Sequence, residues 1–485
     1  MKQPAELAHL GAHELWSHVC AAAMGVRTGA AATVAKQCVS GGSVRLGWVR
    51  PPSWSAVEKN VTAIGAELGA LTDRGLLVLA TGGWSFAAQA LTETAGAVPA
   101  ARGLAVLDSL EPAAICAALD VGGRRPDGYL AISASGSTLE TRQLANMVLT
   151  QAGSRRARLI WLRDTAVPPG VFALSPEGAC DQVAMLGAPL SLAFLFPAAT
   201  MDPVGLAVAH LDLRRRYLRI GADVARRVTG IPPCGAPRLY IALPSWAGRG
   251  LRLWLLQLGR QVLCGKSARF QPWIDVDGTA YPAPGGADVR IDFGGVQAGL
   301  GGLMEIMYTA GLFVGFLALR AGLQVTVHDH VRAYKDRLAN ATATDDVAAR
   351  SALAAELPAL AARWLADRAE LTRLHVVLYD SRAAGPDTLP ELFAATTGRG
   401  CEVHAGSAWN HHSFHAVYAD PTVAVLLVVA PPDLDAPPSA PCAAVAGRTL
   451  RQIAVATHQA LPARSMVVQL SSASAREGQN GKNRA

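Results

Sequence analysis

The segment Tyr129-Leu-Ala-Ile-Ser-Ala-Ser-Gly-Ser-Thr-Leu-Glu-Thr141 decides how this chain is read. Its apolar start, Tyr129 to Ile132, predicts a short buried strand. Ser133, Ser135, Gly136, Ser137 and Thr138 follow as a hydroxyl-rich turn, and Leu139 to Leu149 has helical composition. A strand that ends in such a turn at a helix N-terminus forms an anion site. The unpaired N–H groups of the first helical turn and several hydroxyls converge there, and the helix dipole favours negative charge. An isolated Ser/Thr cluster is more often an ST-turn with an N-cap. Here the hydroxyls crowd directly behind a buried strand, which favours a phosphate cradle.

Working outward, the same alternation recurs. Gly75 to Ala80 predicts a buried strand, and Thr81-Gly-Gly-Trp-Ser85 a glycine-rich turn into a helix from Phe86. Leu104 to Leu107, ending in Asp108-Ser109, and Ala157 to Leu162 are further strands. Strand–helix alternation argues a parallel sheet with helices on both faces, with ligands beyond the carboxyl ends of its strands. Gly82, Gly83, Ser85 and Ser133 to Thr138 gather at that edge. Further on, the pattern predicts helices over 206–228, 251–263, 303–319, 332–338, 353–365 and 450–459. It predicts strands over 238–243, 288–292, 323–327, 374–379 and 423–429. The expected organisation is a helical segment (1–42), two α/β domains (43–205 and 206–435), and a C-terminal helix with a polar tail (436–485).

Composition bounds the function. With 485 residues, 51% hydrophobic and 17% charged, the chain is long enough for two or three packed domains. The net charge of +7 is mild and the densest basic run is Arg214 to Arg216, so no nucleic-acid partner is expected. The eight cysteines have no Cys-x-x-Cys pair or metal-ligand spacing. They are read as reduced packing residues of a cytoplasmic protein. The N-terminus has no continuous apolar stretch of the signal-peptide kind. The apolar run Ala310 to Leu319 is expected to be a buried helix too short to span a bilayer, so no membrane partner is expected.

Ser133-Ala-Ser-Gly-Ser-Thr-Leu-Glu-Thr141 closely resembles the sugar-phosphate loop of the phosphoglucose isomerase family, Ser-Lys-Ser-Gly-Thr/Ser-Thr-Leu-Glu-Thr. The resemblance runs from about Arg45 to Val429 and is greatest to the isomerase half of fused transaldolase/phosphoglucose isomerase proteins. It is carried further by Arg45-Leu-Gly-Trp48, Leu104-Ala-Val-Leu-Asp-Ser109, Trp254-Leu-Leu-Gln-Leu258 and Val331-Arg-Ala-Tyr-Lys335. It implies two sugar-isomerase (SIS) type three-layer α/β/α sandwiches with mostly parallel sheets, a homodimer, and no cofactor or metal. The implied reaction interconverts sugar phosphates of the glucose 6-phosphate/fructose 6-phosphate type.

Carried over residue by residue, the resemblance implies phosphate binding by Ser133, Ser135, Gly136, Ser137 and Thr138, with Ala134 where the family has lysine. Gly82, Gly83, Ser85, Glu140 and His330 are the further substrate-binding candidates. Lys335 matches the lysine that assists ring opening. His411, in Trp409-Asn-His-His-Ser-Phe-His415, falls on the family histidine, with His412, His328 and His330 as alternatives. Two positions depart from the family. Gln261 stands at the catalytic glutamate if one extra residue is allowed before Gly265-Lys266, and Val262 if not; Gln182 stands at an arginine. A carboxamide is no general base, a role worth ~10²–10⁴ in rate, and a lost electrostatic partner costs ~10²–10³. Glu140 and Asp329 are the candidate replacement acids. Two readings follow: an isomerase with a relocated base, or a phosphosugar-binding protein that has lost the chemistry.

Overall fold

The computed structural model describes residues 7–471 except 8, 27, 41, 69–74, 96–102, 112–113, 116–117, 119–125, 127, 134–137, 153–158, 163–171, 175–185, 268, 278–287, 327–328, 342–349, 380–388 and 431–440. The chain divides into two compact units. The first comprises Met1–Asp108, Ala117–His328 and His411–His415; the second comprises Ser109–Cys116, Asp329–Asn410 and Ala416–Ala485.

The first unit begins with α1 (Ala12–Ala23), α2 (Ala30–Gln37) and a small antiparallel pair, β1 (Val39–Ser40) and β2 (Ser43–Val44). Then come α3 (Trp54–Leu68), β3 (Leu76–Ala80), α4 (Gly83–Ala95), β4 (Leu104–Leu107), β5 (Gly128–Ile132), α5 (Leu139–Ala152), β6 (Leu159–Leu162) and β7 (Phe172–Leu174). The five strands form one parallel sheet in the order β4-β3-β5-β6-β7. β3 and β5 are buried at every position. Such continuous apolar strands belong to parallel sheets covered on both faces. Leu76, Val78, Ala80, Leu130 and Ile132 pack against Ile64 and Leu68 of α3 and against Leu192, Ala193 and Phe196 of α6 (Leu192–Met201). The intervening Leu77, Leu79 and Ala131 are equally buried on the opposite face. The result is a three-layer α/β sandwich.

The chain leaves β3 for β4 on one side of the sheet and then crosses to β5 on the other. The order therefore reverses at β3, and the carboxyl ends of β3 and β5 flank the crevice where doubly wound sheets bind ligands.

The rest of the first unit comprises α7 (Pro203–Thr229), β8 (Arg238–Ala242), α8 (Arg249–Leu263), β9 (Trp273–Val276), β10 (Asp288–Asp292) and α9 (Leu300–Arg320). β8 is the centre of a three-stranded parallel sheet, β10-β8-β9. α9 corrects the expected length of the apolar run. It has 21 residues with a mean hydropathy of 1.7 over its most apolar window, and among the described residues it alone is long and apolar enough to cross a membrane. That window is 89% buried inside the protein, which accounts for the composition. The strand expected at 323–327 is not formed over its described residues, 323–326. Their backbone is used differently: Leu323 N–H closes the end of α9 by donating to Ala318 O, and Val325 N–H donates to Gln37 O of α2, each at 2.9 Å.

The second unit holds α10 (Asp329–Asn340), β11 (Arg350–Ala352), α11 (Leu357–Leu365), β12 (Arg373–Leu378), α12 (Leu389–Thr397), β13 (Gly400–Ala405), β14 (Val423–Val429), α15 (Pro441–Ala460) and β15 (Ser465–Leu470). Two short helices, α13 (Ala408–His412) and α14 (Phe414–Ala419), precede β14. The sheet is again parallel, in the order β11-β15-β14-β12-β13, with the same reversal at its first long strand, β12. β14, Val-Ala-Val-Leu-Leu-Val-Val, is wholly buried at its centre. β15, which the sequence pattern does not predict, pairs with both β14 and β11.

Candidate functional site

The crevice at the ends of β3 and β5 collects most of the described candidates in the first unit. β3 runs out through Thr81 into Gly82, whose φ of +67° is left-handed, a region glycine occupies without the Cβ clash. Ser85 Oγ donates to Gly82 O at 2.8 Å and holds the turn as α4 begins at Gly83. Across the crevice, Ser133 Oγ, at the end of β5, donates to Thr138 Oγ1 at 3.0 Å. Thr81 and Thr141 hydroxyls lie 3.3 Å apart and tie the end of β3 to the first turn of α5. The phosphate-loop candidates Ser135, Gly136 and Ser137 lie outside the described residues, as do Gln182 and His328.

His411 is brought to this crevice by α13. A Cβ on Gly82 would lie 2.9 Å from Cβ and Cγ of His411, so the missing side chain admits the histidine. His411 Nε2 is 3.1 Å from Glu140 Oε1. Glu140 is 4% exposed and sits in the first turn of α5, where the helix dipole favours its charge. With the Nε2 proton directed at the carboxylate, the neutral ring keeps Nδ1 as its proton acceptor. Glu140, expected as a substrate-binding residue, lies beside His411.

His412 diverges from His411, as neighbouring residues on a helix do. It is buried against the Phe86 ring at 5.9 Å between centroids, and its Nδ1 is 2.6 Å from Ser413 Oγ. Arg260 of α8, itself 6% exposed, also donates to Ser413 Oγ. Gln261, the next residue of α8, accepts from Gln257 Nε2 at 2.9 Å. Lys335 is half-buried on α10 of the second unit; His330 belongs to the same helix, with its side chain outside the described residues.

Three residues of this region are not picked out by sequence as site residues. Asp108, at the end of β4, accepts from Gln89 Nε2 of α4 at 2.8 Å. Burial pushes its carboxyl pKa up; the Gln89 bond and the charges of Arg249 and His411 pull it part of the way back. A carboxyl raised in this way holds a proton more readily than a surface aspartate, a property of acid/base residues. Asp108 enters the sequence reading only within a Leu-Asp-Ser resemblance, and its position at the carboxyl end of a strand is the available signal. Arg249 and Arg260 bring positive charge on α8, one at the helix start and one at a buried position that no local motif marks.

Gly82→Ala is expected to destabilise the first unit by about 1–2 kcal/mol through left-handed strain alone. The added contact with His411 should displace the ring as well. Chemical denaturation checks the first effect, and the His411 imidazole resonances in NMR check the second.

No family model matches the chain, and no curated protein matches it. Solved structures similar to it include a hypothetical protein, TT0462, from Thermus thermophilus, at 14% identity and a TM-score of 0.49, over 68% of this chain and 94% of that one. A glucose-6-phosphate isomerase from Chlamydia trachomatis is similar at 13% identity and a TM-score of 0.41, over 67% of this chain and 83% of that one. A tagatose-6-phosphate ketose/aldose isomerase from Escherichia coli is similar at 10% identity and a TM-score of 0.37, over 58% of this chain and 91% of that one. At such identities no residue role passes from those proteins to this one.

Proposed function

We propose that this chain is an aldose–ketose isomerase of the phosphoglucose isomerase kind, acting on a sugar phosphate of the glucose 6-phosphate/fructose 6-phosphate type. The observation that carries the reading is the His411–Glu140 pair, 3.1 Å apart beside the Ser133–Thr138 bond at the reversal point of the first sheet. The Ser/Thr-rich sequence 133–138 and the N-terminus of α5 hold the phosphate; hydroxyls and a helix N-terminus suit a dianion. Glu140 orients His411, whose Nδ1 takes up the proton of the C1 hydroxyl as the bond between C1 and the ring oxygen breaks and delivers it to that oxygen. Lys335 assists that step by the family resemblance. Proton transfer between C1 and C2 needs a base, and the Gln261 carboxamide cannot serve. Asp108 is the replacement, a partly buried carboxyl within the electrostatic reach of His411. The buried Arg260 guanidinium stands one residue before Gln261 and supplies positive charge in the first unit.

The alternative reading, a phosphosugar-binding protein without turnover, is favoured by one observation: Gln261 is engaged by Gln257 within α8. The two separate in one experiment, proton exchange at C2 of glucose 6-phosphate followed by NMR in heavy water. Exchange is expected with the unmodified protein and is expected to fall by about 10²–10⁴ in Asp108→Asn and in Lys335→Ala. Thermal stabilisation by the sugar phosphate without exchange would establish the binding reading instead. Absence of both exchange and stabilisation would remove the sugar-phosphate assignment.

A further inference from the structure

The second unit carries a separate set of chemistry-bearing side chains on β12 and the edge strand β13. Parallel register sets His375 of β12 opposite Glu402 of β13, and Val377 opposite His404. Because side chains repeat every two residues along a strand, Glu402 and His404 share a face. His404 Nε2 lies 3.2 Å and His375 Nε2 3.8 Å from the two oxygens of Glu402. The imidazole rings stack with centroids 5.3 Å apart, and one donor atom from each of the three residues fits within 4.8 Å of the others.

We propose that His375, Glu402 and His404 form a divalent transition-metal site of the zinc class. The inference does not rest on the sugar-phosphate reading. Tetrahedral zinc with bonds of about 2.0–2.1 Å spaces its ligand atoms about 3.3 Å apart; the 3.2 Å between His404 Nε2 and Glu402 Oε2 matches that spacing, and His375 Nε2, 3.8 Å from the other oxygen, closes in as the ion binds. Two imidazoles and one carboxylate suit zinc-type ions rather than magnesium or calcium, which take oxygen ligands. The carboxylate side chain is 13% exposed and the His404 side chain 11%. Three protein ligands leave a fourth position for solvent or another small ligand.

One contact works against the ion. Trp409 Nε1 donates to His375 Nδ1 at 3.1 Å. Indole is a donor only, so the neutral metal-free ring keeps its proton on Nε2, facing Glu402. Metal on Nε2 moves that proton to Nδ1, against the indole N–H. Losing that hydrogen bond and stranding a buried donor weakens the site by about 10- to 100-fold. Ligation by two histidines and a carboxylate outweighs a single hydrogen bond, so the site still forms, tuned down by Trp409.

The test uses the full chain after dialysis against a chelator, with Zn²⁺ titrated in competition with a chromogenic chelator. One equivalent is expected to bind, with Kd near or below ~1 µM. Glu402→Gln keeps the side-chain shape, and both it and His404→Ala are expected to weaken binding at least about 100-fold with the fold intact by circular dichroism. Trp409→Phe is expected to tighten binding about 10-fold or more. Absence of stoichiometric binding, or binding that survives Glu402→Gln and His404→Ala, would overturn the site. Unchanged affinity in Trp409→Phe would overturn the assignment of His375 Nε2 as a ligand.

Discussion

Replacing His411 with alanine is expected to lower C2 proton exchange on glucose 6-phosphate by about 10²–10⁴-fold, the usual contribution of a positioned acid/base group. Thermal stabilisation by the same sugar phosphate should persist, because the phosphate contacts proposed for Ser133 and Thr138 do not use the imidazole. The two readouts distinguish a proton-transfer role from a packing role. A packing role would lower both together, since His411 fills the space above Gly82. Glu140→Gln sharpens the test. The carboxamide has nearly the same shape but carries no charge to hold the imidazole in the tautomer that frees Nδ1. Exchange should therefore fall in Glu140→Gln with binding retained. Equal exchange in the His411→Ala variant and the unmodified protein would remove the pair from the mechanism.

Much of this crevice is legible in the sequence. β3 and β5 are continuous apolar runs, the first followed by Gly82-Gly83 and the second by a Ser/Thr-rich sequence. Parallel alternation then fixes which edge of the sheet they share. The partnership of His411 with Glu140 is not legible, because 271 residues separate them and no periodicity connects a short helix to a distant helix start. The family resemblance supplies His411 but treats Glu140 only as a substrate contact or a spare acid. Asp108 is hidden for another reason: its acid/base character comes from burial and from the charges of Arg249 and His411, which are properties of the folded chain. The strand expected at 323–327, not formed over the described residues 323–326, shows the limit of composition. Leu-Gln-Val-Thr-Val has strand-like side chains, but Leu323 N–H and Val325 N–H are already committed to Ala318 and Gln37. The reverse error is β15, a short run near the C-terminus with no local partner in the sequence, whose two edges are taken by β14 and β11.

The largest expected stability effect lies in the first unit, where Trp48 meets α9. Trp48 is fully buried, and its ring lies edge-on to Phe316 with centroids 6.0 Å apart. Its indole N–H donates to Arg45 O at 3.2 Å. A Cβ on Gly315 would come within 2.7 Å of the far edge of the indole, so glycine makes room for tryptophan here. Trp48→Ala is expected to cost about 3–5 kcal/mol, the range for emptying a large aromatic site. Gly315→Ala sets two effects against each other. Alanine favours a helix interior by about 1 kcal/mol over glycine, while overpacking a filled core costs about 1–3 kcal/mol. With Trp48 present the clash should prevail and the variant should be less stable. In a Trp48→Leu background the indole edge is gone, so the same Gly315→Ala change should become neutral or stabilising. Residues in direct contact show such non-additivity, and a double-mutant cycle by chemical denaturation measures it. Additive effects would mean that Trp48 does not set the glycine requirement at 315.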